Sequence, residues 1–243
     1  MLFKQEVNRR LQEMVQHNPP ANVLWPEMCG GTINALVIFV GPSPDGSKET
    51  ERRPRTMDLA KPLWNKPHTE PLSWSRGFKS SFKHIIERIF ELPYQDASKL
   101  IAILNMDWLH NPESADVSFR YMWEGCSHIL PIINQCNPQL VIPMDEKTFG
   151  VLQIALFNNG YEIIPVRTGN IKIRITDKNK KPRYHHEIKA FIAEKDKISF
   201  SVIKSFQHPA RVFDEDYANR VGQGIHEAFS QIMNNEEINI NLT

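Results

Sequence analysis

Two short polar segments, each placed after an apolar run, carry the residue types with which this chain could do chemistry. Residues 41–46 read Gly-Pro-Ser-Pro-Asp-Gly and follow the apolar run 36–40, while residues 207–211 read Gln-His-Pro-Ala-Arg and follow a second apolar run. Both segments come at the end of a predicted strand, where an open α/β sheet presents its ligand crevice. The first offers the carboxylate of Asp45 and the second the imidazole of His208, which together predict an active site.

The elements that would position these segments alternate between helix and strand. Apolar residues at helical spacing predict four helices, at 5–16, 78–90, 121–135 and 146–157. Short apolar runs predict four strands, at 34–40, 100–104, 140–142 and 192–206. Because helices follow strands repeatedly, we predict a three-layer α/β/α fold whose central, mostly parallel four-stranded sheet is covered on both faces.

The length and composition fit a single domain. The chain has 243 residues, of which 41% are hydrophobic, and no linker rich in Gly and Ser divides it. We therefore predict one domain over 1–243, with an insertion at 46–77 that is rich in Pro and Arg and a basic hairpin or loop at 168–190. The charged N-terminus is unlike a signal peptide, and no apolar stretch approaches the roughly 20 residues that span a bilayer. We expect a soluble, cytoplasmic, monomeric protein without a membrane partner.

The net charge of +1 hides two basic stretches. Between 171 and 189, seven basic residues stand against two acidic ones, a local balance of +5, whereas the rest of the chain is mildly negative. The second stretch follows the first polar segment and contains Lys48, Arg52, Arg53 and Arg55. If both stretches flank one crevice, they supply charge that contacts phosphates. The alternative is a solvated hairpin and a solvated loop.

The cysteines and histidines argue against a metal centre. The three cysteines, Cys29, Cys126 and Cys136, have no Cys-x-x-Cys spacing, so they form neither a disulfide framework nor a four-thiolate metal site. We predict buried free thiols. The adjacent His185 and His186 would point to opposite faces of a strand and would not share one ion easily. No metal and no cofactor is predicted.

Taken in order, four of these features resemble the uracil-DNA glycosylase superfamily. Gly41 and Pro44 match its first motif, Asn105 after an apolar strand matches its base-recognising asparagine, and His208-Pro209 matches its second motif, over about 170 residues. Residues 126–142 resemble the helix, proline and apolar strand that lie between these motifs. The resemblance implies a uracil-DNA glycosylase-like fold and a monofunctional DNA N-glycosylase. Such an enzyme hydrolyses the N-glycosidic bond of a flipped base in double-stranded DNA, leaves an abasic site and uses no cofactor.

The resemblance also implies roles for residues. Cleavage needs a carboxylate or an oriented water beside C1′ and a donor at the departing base, which are assigned to Asp45 and His208. The superfamily carries its acidic or amide residue within Gly-x-x-Pro, whereas here Asp45 follows the proline. The role of activating water therefore belongs to Asp45, is shared with Ser43, or is absent. Asn105 would read the Watson–Crick edge of the flipped base. The residues assigned to DNA contact are Ser47, Lys48, Arg52, Arg53, Lys172, Arg174, Lys181, Arg183 and the wedge candidate Arg211.

Each role has a structural alternative. Asp45 also fits an ordinary Pro-Asp-Gly turn, Asn105 a cap at a strand end, and His208 a hydrogen-bonded loop histidine. Arg211 also fits a surface partner of a nearby carboxylate. A Rossmann nucleotide enzyme is disfavoured because the segment 41–46 lacks the closely spaced glycines that admit a pyrophosphate.

The substrate expectation rests on a departure from the superfamily. Its best-known members place an aromatic residue shortly after the first motif, which excludes groups on C5 of the pyrimidine. Here the insertion occupies that region, and no aromatic residue occurs between Gly41 and Trp64. We therefore expect excision of a C5-modified cytosine, hydroxymethylated or glucosylated, as in phage DNA. The alternatives are a uracil-DNA glycosylase of base-excision repair and a catalytically silent nucleic-acid-binding protein of the same fold.

Overall fold

The computed structural model of the chain describes residues 30–31, 34–42, 76–106, 119–176, 181–204 and 214–243. These residues form ten strands: β1 (Gly30–Gly31), β2 (Val37–Gly41), β3 (Ile101–Asn105), β4 (Leu140–Pro143), β5 (Glu162–Pro165), β6 (Thr168–Thr176), β7 (Pro182–His185), β8 (Ala190–Lys195), β9 (Ile198–Ile203) and β10 (Ile238–Leu242). The long helices are α1 (Arg76–Phe90), α2 (Phe119–Cys136), α3 (Glu146–Asn158) and α4 (Glu215–Met233). A single α-helical turn, Tyr94–Ala97, and a 3-10 turn, Ser98–Leu100, lead into β3.

The main sheet has seven strands in the order β1-β3-β2-β4-β9-β8-β5. Strands β3, β2, β4 and β9 are parallel, and β1, β8 and β5 add antiparallel pairs at the two sides. The predicted α/β fold with a mostly parallel central sheet is confirmed, but the sheet is larger than the four strands expected. The prediction of a single strand over 192–206 is wrong. That region is a hairpin, β8–β9, whose turn places Asp196 at a φ of 54°.

Helices cover both faces of this sheet. Side chains alternate along β2, so that Val37 and Phe39 belong to the core formed with α1 and α4, whereas Ile38 and Val40 belong to the core with α2 and α3. A strand buried on both faces has to be apolar throughout, which explains the unbroken run that precedes Gly41. The predicted helices at 78–90, 121–135 and 146–157 are confirmed to within a few residues, and the helix predicted at 5–16 lies outside the described residues.

A second, three-stranded sheet packs beside α4. Its order is β10-β6-β7, with β10 parallel and β7 antiparallel to β6. Ile171 and Ile173 of β6 and Ile238 and Ile240 of β10 are buried in the same core as α1 and α4. The basic segment 168–190 therefore contains an antiparallel hairpin that is fixed to the body of the protein through its apolar side.

Both described cysteines have buried thiols that are not part of a disulfide, as predicted. Cys126 and Cys136 both lie in the core beneath α2, and Cys29 is outside the described residues. Burial raises the pKa of the Cys126 thiol to about 12, so it is not a nucleophile near neutral pH. None of the helices in the described part of the chain is both long and apolar enough to cross a membrane.

Candidate active site

The order of the parallel strands includes a switch point, where the chain changes direction across the sheet. The chain passes from β2 to β3 on one side and then to β4 on the other side of β2. In open α/β sheets, ligands bind outside the carboxyl ends of the strands at such a switch point. We call the carboxyl ends of β3, β2, β4 and β9 the carboxyl edge.

Backbone hydrogen bonds join the ends of three strands at this edge. The N–H of Met106, just after β3, donates to the carbonyl oxygen of Gly41 at 3.0 Å. The N–H of Met144, just after β4, donates to the carbonyl oxygen of Val40 at 2.8 Å. Both neighbouring strands are therefore fixed to the end of β2, from which the first polar segment departs.

Gly41 and Asn105 are brought together at this edge. They are register partners at the last position of the parallel pair β2–β3. A Cβ atom added at Gly41 would lie 2.6 Å from Oδ1 of Asn105 and 3.8 Å from Sδ of Met144. Only glycine leaves the space that the partly buried Asn105 amide occupies, so the residue types at two positions 64 apart in the chain depend on each other.

We expect Gly41→Ala to move the Asn105 side chain with little loss of stability. The described backbone at Gly41 has no left-handed φ, so alanine is compatible with the chain conformation, and only the amide of Asn105 has to move. The side-chain amide resonances of Asn105 should shift in a ¹⁵N–¹H spectrum, while those of Asn158 stay in place. The melting temperature should fall by less than about 4 °C. Unchanged Asn105 resonances would contradict the contact.

A second close approach supports the backbone that follows Asn105. Gly125 lies in α2, and a Cβ atom there would come within 1.5 Å of the carbonyl oxygen of Met106. The helix therefore packs directly against the backbone of Met106, the residue that follows Asn105. Neither Gly125 nor Met144 was among the predicted site residues. The available signal was a glycine inside an amphipathic helix, which often marks such a contact.

A cluster of charges lies at the β4 and β9 end of the edge. Glu146, in the first turn of α3, accepts a hydrogen bond from Nζ of Lys189 and lies 3.4 Å from Nζ of Lys204. The hydrogen bond from Lys189, followed by the charge of Lys204, holds the pKa of Glu146 below its usual range. The carboxylate therefore remains ionised and ties the start of α3 to the chain on both sides of the hairpin β8–β9.

A cavity of about 320 Å³ connects this cluster to the basic hairpin. Its lining residues are Tyr184, His185, His186, Glu187, Lys189 and Lys204. Nε2 of His185 lies 3.1 Å from the hydroxyl oxygen of Tyr217, a fully buried residue of α4. His186 is exposed and places its ring beside that of Tyr184. Within the described ranges, no group of three or more His, Cys, Asp or Glu side chains is arranged to hold a metal ion.

We expect His185 to make the folded state sensitive to acid. Burial, with smaller contributions from Lys204 and His186, lowers the pKa of His185. The unfolded chain then binds a proton more readily than the folded chain, so stability is complete above the ordinary histidine pKa of about 6.5 and falls as the pH drops below it. Between about pH 7.5 and 5.5, wild type should lose about 3 °C more in melting temperature than His185→Asn. Equal losses in both proteins would assign the acid sensitivity to other groups.

The predicted site residues divide into three groups. Gly41 and Asn105 meet at the carboxyl edge, and Lys172, Arg174, Lys181 and Arg183 lie on or beside the hairpin β6–β7. The others lie outside the described residues; they are Ser43, Pro44, Asp45, Ser47, Lys48, Arg52, Arg53, His208 and Arg211. Comparison of the chain with models of known protein families and with curated proteins finds no match.

Proposed function

We propose that this protein is a DNA glycosylase of the uracil-DNA glycosylase superfamily that removes a flipped, C5-modified cytosine and leaves an abasic site. The observation that carries the proposal is the contact between Gly41 and Asn105 at the switch point of a parallel sheet. An asparagine amide offers one acceptor and two donor hydrogens on a single plane, which suits the Watson–Crick edge of a pyrimidine. The glycine beside it leaves room for that amide at the carboxyl edge.

The chain connects the proposed catalytic side chains to the same edge. Asp45 follows Gly41 by four residues, and His208 follows Lys204 by four residues. Because four residues span at most about 14 Å, the proposal assigns both side chains to the neighbourhood of the carboxyl edge. Gly41 is the last residue of β2, and Lys204 directly follows β9. Because β2 and β9 lie on either side of β4, the two segments begin on opposite sides of one strand.

In the proposed reaction, Asp45 and His208 act on opposite partners of the bond that breaks. A water oxygen forms a bond to C1′ while the bond from C1′ to the base nitrogen breaks and its electron pair leaves with the base. Asp45 takes the proton that the water loses and stabilises the cationic sugar. His208 donates a hydrogen bond to the anionic base as it departs. No cofactor is required because the reactants are DNA and water.

The preference for a modified cytosine follows from the absence of an aromatic residue shortly after the first motif. The insertion at 46–77 occupies the place of the aromatic residue that excludes groups on C5 in the best-known members of the superfamily. Uracil is the second candidate, because Asn105 suits the edge of either pyrimidine. A third candidate, a catalytically silent nucleic-acid-binding protein, is favoured by the basic hairpin alone and needs neither Asp45 nor His208.

Abasic-site formation on a panel of DNAs tests the proposal. The substrates are phage genomes with normal or hypermodified cytosine, and matched duplexes that carry uracil, a thymine mismatch, hydroxymethylcytosine or glucosylated hydroxymethylcytosine. Alkaline strand breaks should appear only with modified cytosine. Asp45→Ala and His208→Ala should each reduce the rate by at least about a hundredfold, while Asp216→Ala, an exposed carboxylate on α4, leaves it unchanged.

The other outcomes distinguish the candidates. Cleavage of uracil alone would overturn the modified-cytosine substrate and favour base-excision repair. Absence of breaks on every DNA, together with salt-sensitive binding that Asp45→Ala does not alter, would favour the silent nucleic-acid-binding protein. Breaks that persist in both variants would remove Asp45 and His208 from the proposed chemistry.

A further inference from the structure

The small sheet has one apolar and one polar side. Ile171 and Ile173 of β6 face the core, so the alternating residues Lys172 and Arg174 point away from it and are exposed. Tyr184 of β7 is the direct register partner of Arg174 and is 41% exposed. We call Lys172, Arg174, Tyr184 and the adjacent His186 the hairpin face.

The hairpin face combines basic side chains with an exposed aromatic ring. Nζ of Lys172 lies 5.1 Å from the centroid of the Tyr184 ring, a cation–π distance. The His186 ring lies 6.2 Å from the same ring, at an angle of 39°. Lys172 and His186 therefore both lie beside the exposed Tyr184 ring, and Arg174 is its register partner on the neighbouring strand.

The chemistry of this face indicates its ligand. Lys172 and Arg174 complement phosphates, and an exposed tyrosine ring complements the flat face of a nucleobase. In a duplex the base faces are covered by their neighbours, whereas an unpaired strand can place them on an aromatic side chain. The outward positions of the described strands β6 and β7 include no carboxylate that would repel such a strand.

We propose that the hairpin face binds single-stranded nucleic acid, with Tyr184 stacked on a base and Lys172 and Arg174 against the phosphates on either side. The face continues toward the carboxyl edge, because Tyr184 and His186 also line the cavity that contains Lys204. If the proposed glycosylase function holds, this face selects DNA with an unpaired stretch next to the target base. The binding itself does not depend on base release.

Fluorescence anisotropy with a labelled oligothymidylate of about 15 nucleotides tests the binding, because this probe contains no base that the proposed enzyme would remove. A duplex of the same length is the comparison ligand. Tyr184→Ala should weaken binding of the single strand about tenfold, and Tyr184→Phe, which keeps the ring, should stay within about twofold of wild type. Lys172→Ala should weaken binding and lower the slope of log affinity against log salt by about 0.7.

Lys197→Ala is the matched control for removal of a positive charge. Lys197 is exposed in the turn between β8 and β9, at the opposite end of these strands from Lys204. The Lys197→Ala variant should bind the single strand like wild type. Circular dichroism should show that all four variants are folded. Equal effects of Lys172→Ala and Lys197→Ala, tighter binding to the duplex, or normal binding by Tyr184→Ala would each overturn the proposal.

The two proposals fail in different ways. Tyr184-dependent binding of the oligothymidylate without base release on any DNA would support the hairpin face and remove the glycosylase function. Base release with normal binding by Tyr184→Ala would support the glycosylase function and overturn the role of the hairpin face.

Discussion

Replacing Asn105 by alanine is expected to lower kcat/KM for base release by about a thousandfold or more while the protein stays folded. The residue lies at the last position of β3, at the carboxyl edge, and is only partly buried, so it contributes little to the core. Its proposed role is to form hydrogen bonds with the flipped base, and the substitution would remove the amide that makes them. Single-turnover kinetics on the preferred duplex measure the loss directly.

Two further variants separate recognition from structure. Asn105→Asp keeps the shape but replaces the NH₂ donor by an acceptor, so it should also be slow and should alter the ranking of the pyrimidine substrates. Asn158→Ala, at the exposed end of α3, should be as active as wild type. If Asn105→Ala retained full activity, Asn105 would be only a cap at the end of a strand.

Replacing Gly125 by alanine is expected to destabilise the protein by about 3 kcal/mol or more. The added Cβ would lie 1.5 Å from the carbonyl oxygen of Met106, and neither that backbone nor the helix axis can move without disturbing the core beneath α2. The same substitution at Gly150 should instead increase the free energy of unfolding. Gly150 is also inside a helix, but among the described residues no atom beyond its own helical turns lies within 4 Å of its added Cβ, so alanine should stabilise by about 0.5–1 kcal/mol.

Urea unfolding of the two variants beside wild type measures both free energies. The two substitutions are chemically identical and lie in neighbouring helices of the same layer, so helix propensity cancels between them. A stabilising effect at both positions would contradict the close packing of α2 against β3. A loss of stability at both would contradict the open surface at Gly150.

The strands and helices that are long and strongly patterned could be predicted from the sequence. The run before Gly41 is apolar throughout because β2 is buried on both faces, and α1 shows its apolar positions at helical spacing. The hairpin β8–β9 could not be predicted, because its turn contains no Gly or Pro and relies on a left-handed Asp196. The edge strand β1 is only two residues long and has no pattern to detect.

Only part of the candidate site was open to prediction. Gly41 and Asn105 could be selected because a recognisable order of short motifs includes both. The contacts of Gly125 with Met106, of Glu146 with Lys189 and of His185 with Tyr217 join residues that are far apart in the sequence. Such pairs leave no periodic signal, because they arise when separate elements pack together.

The parallel pairing of β10 with β6 has a consequence for synthesis on the ribosome. Strand β10 follows every other described element in the chain, yet its Ile238 and Ile240 complete the apolar side of the small sheet. The parallel strands can pair before this segment emerges, whereas the hairpin β6–β7 gains its third strand only afterwards. A nascent chain can thus form the carboxyl edge first and a fully supported basic hairpin last.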